Sequence, residues 1–427
     1  MLVRRLSAVD AQTYWTSAKI PNDQFLLYGF GGIASDLEDA LRRVGDRARR
    51  CPEFGLRIRD HGPLAYPSWV GGEVAADQFI VHPADDWSSC LAAVVRLNDD
   101  QLDPRVMAWR LHVFPSVGGM PGAGRGTVAV LQMAHALADG IRSSALAAWL
   151  FGRDEWVPAV AGPRPLLGAA LPWRGYRAAR AHRQLVRDTE AGLVAPQADP
   201  GPALRSNARP EGACGVRTLV RKRSQLSGPT VTVGVLAAVS TALSAHLRQL
   251  GDDPSRLRAE VPMAKAGERT SHNHFGNVGV GLYPDLPFEE RMDRIAEDLE
   301  QRRRRASHPA MAAADRAAAS VPAPLLRWGI AQFDPTVRSP TAIGNTVVSS
   351  VNRGAADLVF GDATVVLTAG LPSLSPMMGL THGVHGIGDT IAVSVHAAES
   401  AIGDIDAYVE RLDAALAVGT SPPSPTS

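Results

Sequence analysis

The sequence predicts an α/β protein organised in two domains. The chain has 427 residues, which is more than one hydrophobic core usually serves. Hydrophobic residues make up 45% of the chain and charged residues 20%, a composition typical of globular proteins. Short apolar runs that read as strands alternate with stretches of helical periodicity, and this alternation indicates sheets packed with helices.

The N-terminal half contains predicted strands and helices around a glycine-rich connection. Apolar spacing with a polar opposite face predicts a helix over residues 36–49. Residues 106–114 and 127–133 read as strands, and the glycine-rich segment 118–126 between them is interpreted as a flexible hairpin connection. That segment lacks the spacing of a phosphate-binding P-loop. A second helix is expected over residues 141–151.

The second half repeats the alternation after a proline- and glycine-rich segment. That segment, residues 158–172, is interpreted as a linker or crossover, and a charged helix is expected at 173–193. A second α/β region begins near residue 216 and contains a helix candidate at 231–250. Four strands are predicted in this region, at residues 278–283, 346–351, 363–367 and 390–396.

These elements divide the chain into two domains and a connection. The expected N-terminal domain covers residues 1–157, and the expected C-terminal domain covers residues 216–420. Residues 158–215 form the linker or crossover region between them, and the tail 421–427 is expected to be disordered.

Charge, cysteine content and hydropathy exclude several classes of protein. The net charge of +1, without an aromatic and basic patch, gives no case for nucleic-acid binding. The three cysteines are scattered without CxxC spacing, which argues against a disulfide framework and a structural zinc site. The N-terminus lacks the apolar core of a signal peptide, and no uninterrupted apolar stretch reaches about 18 residues. We therefore expect a cytoplasmic protein without a membrane span.

The most informative segment, residues 133–140, reads Met-Ala-His-Ala-Leu-Ala-Asp-Gly and follows an apolar run. A buried strand there would deliver His135 at its end, with Asp139 one turn further on. Histidine suits proton transfer near neutrality because its unperturbed pKa is about 6.5. Gly140 allows another backbone or a substrate to approach closely. A structural histidine is the alternative, and a metal site is disfavoured because no third ligand is evident.

Four further histidines and one apolar segment offer other candidate sites. His272 and His274 lie in a polar segment, and His382 and His385 lie in a glycine-rich loop. Neither pair has a carboxylate nearby at a familiar metal-ligand spacing, so surface or loop positions are expected for all four. The apolar segment 325–333 could lie on a membrane, but a helix packed on the domain core is the favoured interpretation.

The segment around His135 resembles the HHxxxDG motif of the wax ester synthase/diacylglycerol acyltransferase family. This family is part of the chloramphenicol acetyltransferase and condensation-domain superfamily. Ala134 stands in the place of the first motif histidine. Further resemblances follow in the family's order: residues 6–10 to LSxxD, 107–113 to PLWExHV, 261–263 to VPV, 276–287 to GN followed by LP, 347–354 to SNVxGP and 373–376 to LSP.

The resemblance implies a fold and an activity. The fold would be two chloramphenicol-acetyltransferase-like α/β domains, each a mixed sheet with packed helices, with an active-site channel between them. The activity would be acyl transfer from an acyl-CoA thioester to an acceptor hydroxyl of the long-chain alcohol or diacylglycerol type. Acyl-CoA would be a co-substrate, and no other cofactor and no metal are implied.

The resemblance also implies roles for individual residues. His135 would be the general base, and Asp139 would pair with an arginine and fix the loop; Arg4, Arg5 and Arg353 are the candidates for that arginine. Four residues are expected to bind substrate. They are Gly140, Asn277, and the adjacent Ser349 and Ser350, whose hydroxyls are candidates for stabilising an oxyanion.

Two other functions stay open at this point. The first keeps the fold and the base but uses an amine or another acceptor, or a carrier-protein thioester, in natural-product assembly; the departures at Ala134, Arg110 and Ser350 favour it. The second is a non-catalytic relative that binds a ligand or a partner protein, and the intact His135 and Asp139 weigh against it. Peripheral contact with a membrane or lipid is compatible with every one of these functions.

Overall fold

A computed structural model describes residues 3–162 and 170–418, and the predicted tail at 421–427 lies outside the described residues. The helices are α1 (Ala8–Ser17), α2 (Leu37–Arg50), α3 (Trp87–Leu97), α4 (Gly140–Leu150), α5 (Ala170–Glu190), α6 (Val231–Gln249), α7 (Phe288–Ala306), α8 (Pro309–Ala318), α9 (Ala323–Gln332), α10 (Glu399–Ile402) and α11 (Ile405–Ala417).

The strands form two six-stranded sheets and two smaller ones. In chain order they are β1 (Val3–Arg5), β2 (Gln24–Gly31), β3 (Leu56–Arg59), β4 (Ser68–Gly71), β5 (Phe79–Val81), β6 (Trp109–Met120), β7 (Gly124–Met133), β8 (Gly201–Pro202), β9 (Cys214–Lys222), β10 (Arg258–Ala264), β11 (Phe275–Gly281), β12 (Thr341–Ala342), β13 (Thr346–Asn352), β14 (Val359–Phe360), β15 (Ala363–Leu371), β16 (Leu380–Ile387) and β17 (Thr390–Ala398).

Each large sheet is mixed, as predicted. The first has the order β14-β15-β2-β7-β6-β5, and only its β5–β6 pair is parallel. The second has the order β11-β10-β13-β16-β17-β9, with β10, β13 and β16 parallel to one another. The glycine-rich segment 118–126 forms the tip of the β6–β7 hairpin, with its turn at residues 121–123. Gly119, Gly122 and Gly124 adopt positive φ angles that favour glycine.

Two strands of the C-terminal half lie in the first sheet, which their sequence order does not indicate. β14 and β15 come from the C-terminal half, yet β15 pairs with β2 in the first sheet. β15 also lies against β16 and β17 of the second sheet. A hydrophobic cluster that contains Phe25 and Leu27 of β2 together with Val216 and Ala392 accordingly joins the two sheets. Residues 359–371 therefore belong to the N-terminal sheet, although the predicted domain limits assign them to the C-terminal domain.

Helix α6 is the core helix of the second lobe. It is long and apolar enough to cross a membrane by length and composition, but 72% of its most apolar window is buried inside the protein. It packs against α7 and α11 and carries much of the second hydrophobic cluster. Residues 325–332 of the apolar segment lie in α9, which packs on α1 through partly buried Leu326 and Ile330, whereas Leu325 and Trp328 are exposed.

The prediction of a loop around His382 and His385 is wrong. Both histidines lie on β16, whose eight residues are all buried between neighbouring strands. A Cβ on Gly383 would lie 2.2 Å from the carbonyl oxygen of Gly370, so glycine is needed there for β15 to approach β16. His272 is also buried, with 1% of its surface exposed. The glycines of β16 therefore allow close strand packing and do not mark a turn.

Buried neutral histidines predict acid destabilisation. Burial lowers the pKa of His112 to about 4 and that of His382 to about 3. In the unfolded chain both titrate near pH 6.5, so below that pH the unfolded state binds more protons and stability falls. We expect the free energy of unfolding to fall by about 2 kcal/mol per histidine as the pH is lowered from 7 to 5.

Urea unfolding at pH 5, 6 and 7 measures this effect. His382→Gln is expected to flatten the pH dependence relative to the wild type, because its share of the proton uptake is gone. The variant is also expected to be less stable at pH 7, since the His382 ring bridges Thr346 and the Tyr408 hydroxyl at 2.8 and 2.7 Å. Equal slopes in the two proteins would contradict the assignment.

Candidate active site

His135 and Asp139 lie on the short connection between β7 and α4. β7 ends at Met133, and α4 begins at Gly140 with Asp139 as its N-cap. The Asp139 carboxylate accepts the backbone N–H of Arg142 at 3.0 Å, which satisfies one of the free donors of the first helical turn. The strand thus delivers the histidine at its end, as the sequence predicted.

The arginine partner of Asp139 is Arg269, and the suggestion of Arg4, Arg5 or Arg353 is wrong. Arg269 Nη1 donates to the second Asp139 oxygen at 2.7 Å, and only 4% of the Asp139 side chain is exposed. The same oxygen accepts the backbone N–H of His274 at 2.9 Å. Arg269 lies in the connection between β10 and β11, so the pair clamps the His135 connection onto the second lobe.

A second buried carboxylate, Asp10, holds the other side of the connection between β10 and β11. It accepts the backbone N–H groups of His272 and Asn273 at 3.0 and 2.9 Å, and the Ser7 hydroxyl at 2.8 Å. The Asn273 amide then donates to the backbone carbonyl of His135 at 2.8 Å. The LSxxD segment at residues 6–10 therefore acts at the site through this chain of hydrogen bonds.

The His135 ring is neutral at pH 7 and is held on both sides. Burial lowers its pKa, while hydrogen bonds to its own backbone and to Asn273 oppose the shift. Phe275 stacks on the ring with centroids 5.8 Å apart. The Gln24 amide nitrogen lies 2.9 Å from Nδ1 and donates to the Ala138 carbonyl oxygen at 2.6 Å. Because Nδ1 is engaged, Nε2 is the nitrogen left for a substrate.

Gln24 influences which ring nitrogen of His135 carries the hydrogen. A proton acceptor at Nε2 needs the hydrogen on Nδ1, where the ring's own backbone carbonyl accepts it. The Gln24 side chain lies 2.9 Å from Nδ1 and so acts directly on this tautomer. Nothing in the sequence around Gln24 marked it, since its role depends on β2 pairing with β7.

Gln24→Glu is expected to raise the pKa of His135, because a carboxylate beside Nδ1 favours the imidazolium. The titration of the His135 ring should therefore move to higher pH by about one unit. NMR titration of the histidine ring signals between pH 5 and 9 measures this shift. Gln24→Leu is the matched control, and an upward shift of the same size in that variant would contradict the electrostatic explanation.

One cavity brings together the six residues for which the sequence predicted a catalytic or substrate-binding role. Its volume is about 440 Å³, and it lies between the two large sheets. The first lobe contributes the β7–α4 connection and β2, and the second contributes β10, β11 and β13. The six predicted residues that line it are His135, Asp139, Gly140, Asn277, Ser349 and Ser350.

The predicted substrate-binding residues differ in what they can offer. A Cβ on Gly140 would meet Val351 of β13 at 3.3 Å, so glycine lets the two lobes approach. The Ser350 hydroxyl accepts from Thr232 at 2.9 Å, which leaves its own hydrogen for a ligand. Asn277 is exposed, and its amide donates to Glu260 of the neighbouring strand at 2.5 Å.

Three other motif positions do not line the cavity. Ala134 is buried and is not one of the cavity-lining residues, so it does not shape the channel directly. Trp109 is fully buried, and its indole N–H donates to the Phe54 carbonyl at 2.7 Å. His112 bonds Gln132 and His82 inside the first lobe. Within the described ranges, no group of three or more His, Cys, Asp or Glu side chains could hold a metal ion.

Comparison with known proteins identifies the fold. No protein-family model matches the sequence, and the search of curated proteins found no match. Among solved structures, the wax ester synthase/diacylglycerol acyltransferase from Marinobacter aquaeolei VT8 superposes with a TM-score of 0.63 at 17% identity, covering 97% of this chain and 98% of that one.

Two condensation domains are similar over the same length. A mutant starter condensation domain of rhizomide synthetase RzmA, in complex with C8-CoA, has a TM-score of 0.60 at 15% identity and covers 98% of this chain and 96% of its own. The condensation domain of Monacolin K polyketide synthase MokA has a TM-score of 0.55 at 14% identity, with 98% of both chains covered. The chain therefore has the two-lobed fold of this wax ester synthase/diacylglycerol acyltransferase and of these condensation domains.

Proposed function

We propose that this protein is an acyltransferase that moves an acyl group from an acyl-CoA thioester to the hydroxyl of an acceptor alcohol or diacylglycerol. The observation that carries the proposal is the position of His135, a neutral imidazole held by both lobes at the cavity between them. The fold is that of acyl-transferring enzymes, and one protein of similar structure is described in complex with C8-CoA.

His135 acts as the general base in this proposal. Nε2 accepts the proton of the acceptor hydroxyl as its oxygen attacks the thioester carbonyl carbon. The resulting tetrahedral intermediate collapses when the carbon–sulfur bond breaks, and the imidazolium returns the proton to the departing thiolate. The products are the ester and free CoA thiol. General-base assistance of this kind contributes about 10² to 10⁴ in rate.

Ser350 is the proposed donor to the oxyanion. Thr232 orients its hydroxyl, and the Ser350 hydrogen stays available for the thioester oxygen as negative charge develops there. Ser349 is its neighbour on β13 and lines the same cavity. Because His135 belongs to the first lobe and Ser350 to the second, the base and the oxyanion donor require both lobes in contact, as the Asp139–Arg269 pair keeps them.

A condensation-type reaction is the second candidate. The structural similarity to two condensation domains over nearly the whole chain favours it, together with the departure from the family motif at Ala134. In that reaction the same base would serve an amine acceptor, or the donor would be a carrier-protein thioester. A binding protein without turnover is the third possibility.

Release of free CoA thiol separates these functions. The purified protein is incubated with acyl-CoAs of two to sixteen carbons and with a primary alcohol, a diacylglycerol or a primary amine, and products are identified by mass spectrometry. Ester formation with thiol release is the expected result. Amide formation alone would favour the condensation reaction, and acyl-CoA binding without thiol release would favour the binding protein.

A further inference from the structure

A guanidinium lies buried at the wall of the cavity described above. Arg353 follows β13 directly, is 5% exposed and is one of the cavity-lining residues. Its side chain crosses to the first sheet, where Nη1 donates to the Thr368 hydroxyl and lies 3.4 Å from the Leu27 carbonyl oxygen. The guanidinium carbon stands 4.9 Å from the centre of the Tyr28 ring.

No carboxylate neutralises this charge in the described part of the chain. Arg353 interacts with the hydroxyls of Tyr28 and Thr368, which are neutral, and with the imidazole of His385, whose pKa is lowered by burial and by Arg353. Its Nε has no hydrogen-bond partner among the described residues. A buried charge without an opposite charge is costly, because the protein interior solvates it poorly.

Other buried arginines of this protein are satisfied differently. Arg291 donates to the carbonyl oxygens of Tyr283, Pro284 and Leu286, at 3.1, 2.9 and 2.8 Å, and Nε is one of its donors. Arg142, whose Nε also lacks a hydrogen-bond partner among the described residues, forms an ion pair with Glu53 at 2.6 Å. Arg353 has neither a set of carbonyl oxygens nor a carboxylate, although it is the buried arginine that lines the cavity.

His385 stands beside Arg353 at the same place. It is buried on β16, lines the cavity, and its Nδ1 has no hydrogen-bond partner in the described ranges. Gly370 makes room for the pair, since a Cβ there would lie 2.6 Å from the His385 ring and 3.1 Å from Arg353 Nη2. An absent side chain therefore lets a guanidinium and an imidazole meet at one point of the cavity wall.

We propose that Arg353 and His385 form a binding site for a carboxylate carried by one of the two substrates. The assignment of the carboxylate to a substrate rests on the proposed acyl transfer; the site itself does not. A carboxylate matches the geometry of a guanidinium and its single charge. A phosphate dianion would leave an uncompensated negative charge in a buried place. The carboxylate belongs either to the far end of the acyl chain or to the acceptor.

Matched probes test the site in the wild-type protein. Calorimetry compares succinyl-CoA with butyryl-CoA, and adipoyl-CoA with hexanoyl-CoA, which differ only in a terminal carboxylate in place of a methyl group. The acceptor arm compares 6-hydroxyhexanoate with 1-hexanol. We expect the carboxylate member of one arm to bind at least tenfold more tightly, the size expected of a hydrogen bond to a charged group. No preference in either arm would overturn the proposal.

Variants connect the preference to the two residues. Arg353→Gln and His385→Gln are each expected to reduce the ratio of affinities within the preferred pair by tenfold or more. Arg291→Gln is the matched control, because it removes a buried arginine that does not line the cavity, and its affinity ratio is expected to equal that of the wild type. If Arg353→Gln does not fold, the comparison of probes in the wild type and the His385→Gln variant still test the carboxylate site.

The two proposals fail in different ways. Preferential binding of the carboxylate probes, with no thiol release from any pair, would support the carboxylate site and contradict the acyltransferase function. Thiol release at equal rates, with equal affinities for charged and uncharged probes, would support the function and contradict the site. An unchanged ratio in both Arg353→Gln and His385→Gln would also overturn the site.

Discussion

His135→Ala is expected to lower kcat for acyl transfer by about 10² to 10⁴ while the protein stays folded. Without the imidazole the acceptor hydroxyl must lose its proton to water, and the departing thiolate has no positioned acid. Release of CoA thiol with the best acceptor pair measures the effect. Thermal unfolding of both proteins checks that the variant is folded. Ala keeps the backbone carbonyl that accepts from Asn273 and removes the ring's contacts with Gln24 and Phe275.

A second histidine of the same cavity provides the control. His274 lines the cavity and supplies its backbone N–H, not its ring, to Asp139. His274→Ala therefore keeps that hydrogen bond and is expected to retain far more activity than His135→Ala. Equal losses in the two variants, or full activity in His135→Ala, would rule out His135 as the base.

Breaking the Asp139–Arg269 pair is expected to reduce stability and turnover together. Arg269→Met leaves a carboxylate that is 4% exposed without its counter-charge, and removing one partner of a buried pair costs about 3–5 kcal/mol. Asp139 also anchors α4 and the backbone of His274, so its displacement moves the connection that carries His135. Urea unfolding and kcat measure the two effects.

A double-mutant cycle tests whether the two residues act as one unit. Asp139→Asn retains an oxygen for the helix cap but loses the charge, and Arg269→Met removes the other charge. We expect the double variant to be less destabilised than the sum of the two single variants, because neither buried charge is then left alone. Strict additivity would mean that the pair contributes no coupling and that the lobes are held by other contacts.

Helices with strong periodicity were predictable from local sequence. The helix expected over residues 231–250 is α6 (Val231–Gln249), and the one expected over 141–151 is α4 (Gly140–Leu150). Apolar spacing and capping residues act within one or two turns, so they can be read from the chain. β2 and β16 were not predicted. The glycines and histidines of β16 make sense only where β15 packs against it.

The candidate site was predictable only where its residues are adjacent in sequence. His135, Asp139 and Gly140 share one motif, and the cavity indeed includes all three. Arg269 is 130 positions from Asp139, and Gln24 is 111 positions from His135. Each partner is defined by which strand pairs with which, and no local pattern encodes that. The domain limits remain a prediction. β15 falls in the expected C-terminal domain by sequence, but it pairs with β2 in the first sheet.

The sequence by itself determined the α/β class, the main helices, the resemblance to the acyltransferase family and the segment that carries His135. These depend on periodicity and on short motifs, which local chain order contains. Only the tertiary structure decided that Arg269 pairs with Asp139, that β15 crosses to the first sheet, and that Arg353 and His385 meet at the cavity. These depend on long-range packing, because the residues that contact a buried side chain or pair with a strand lie far away along the chain.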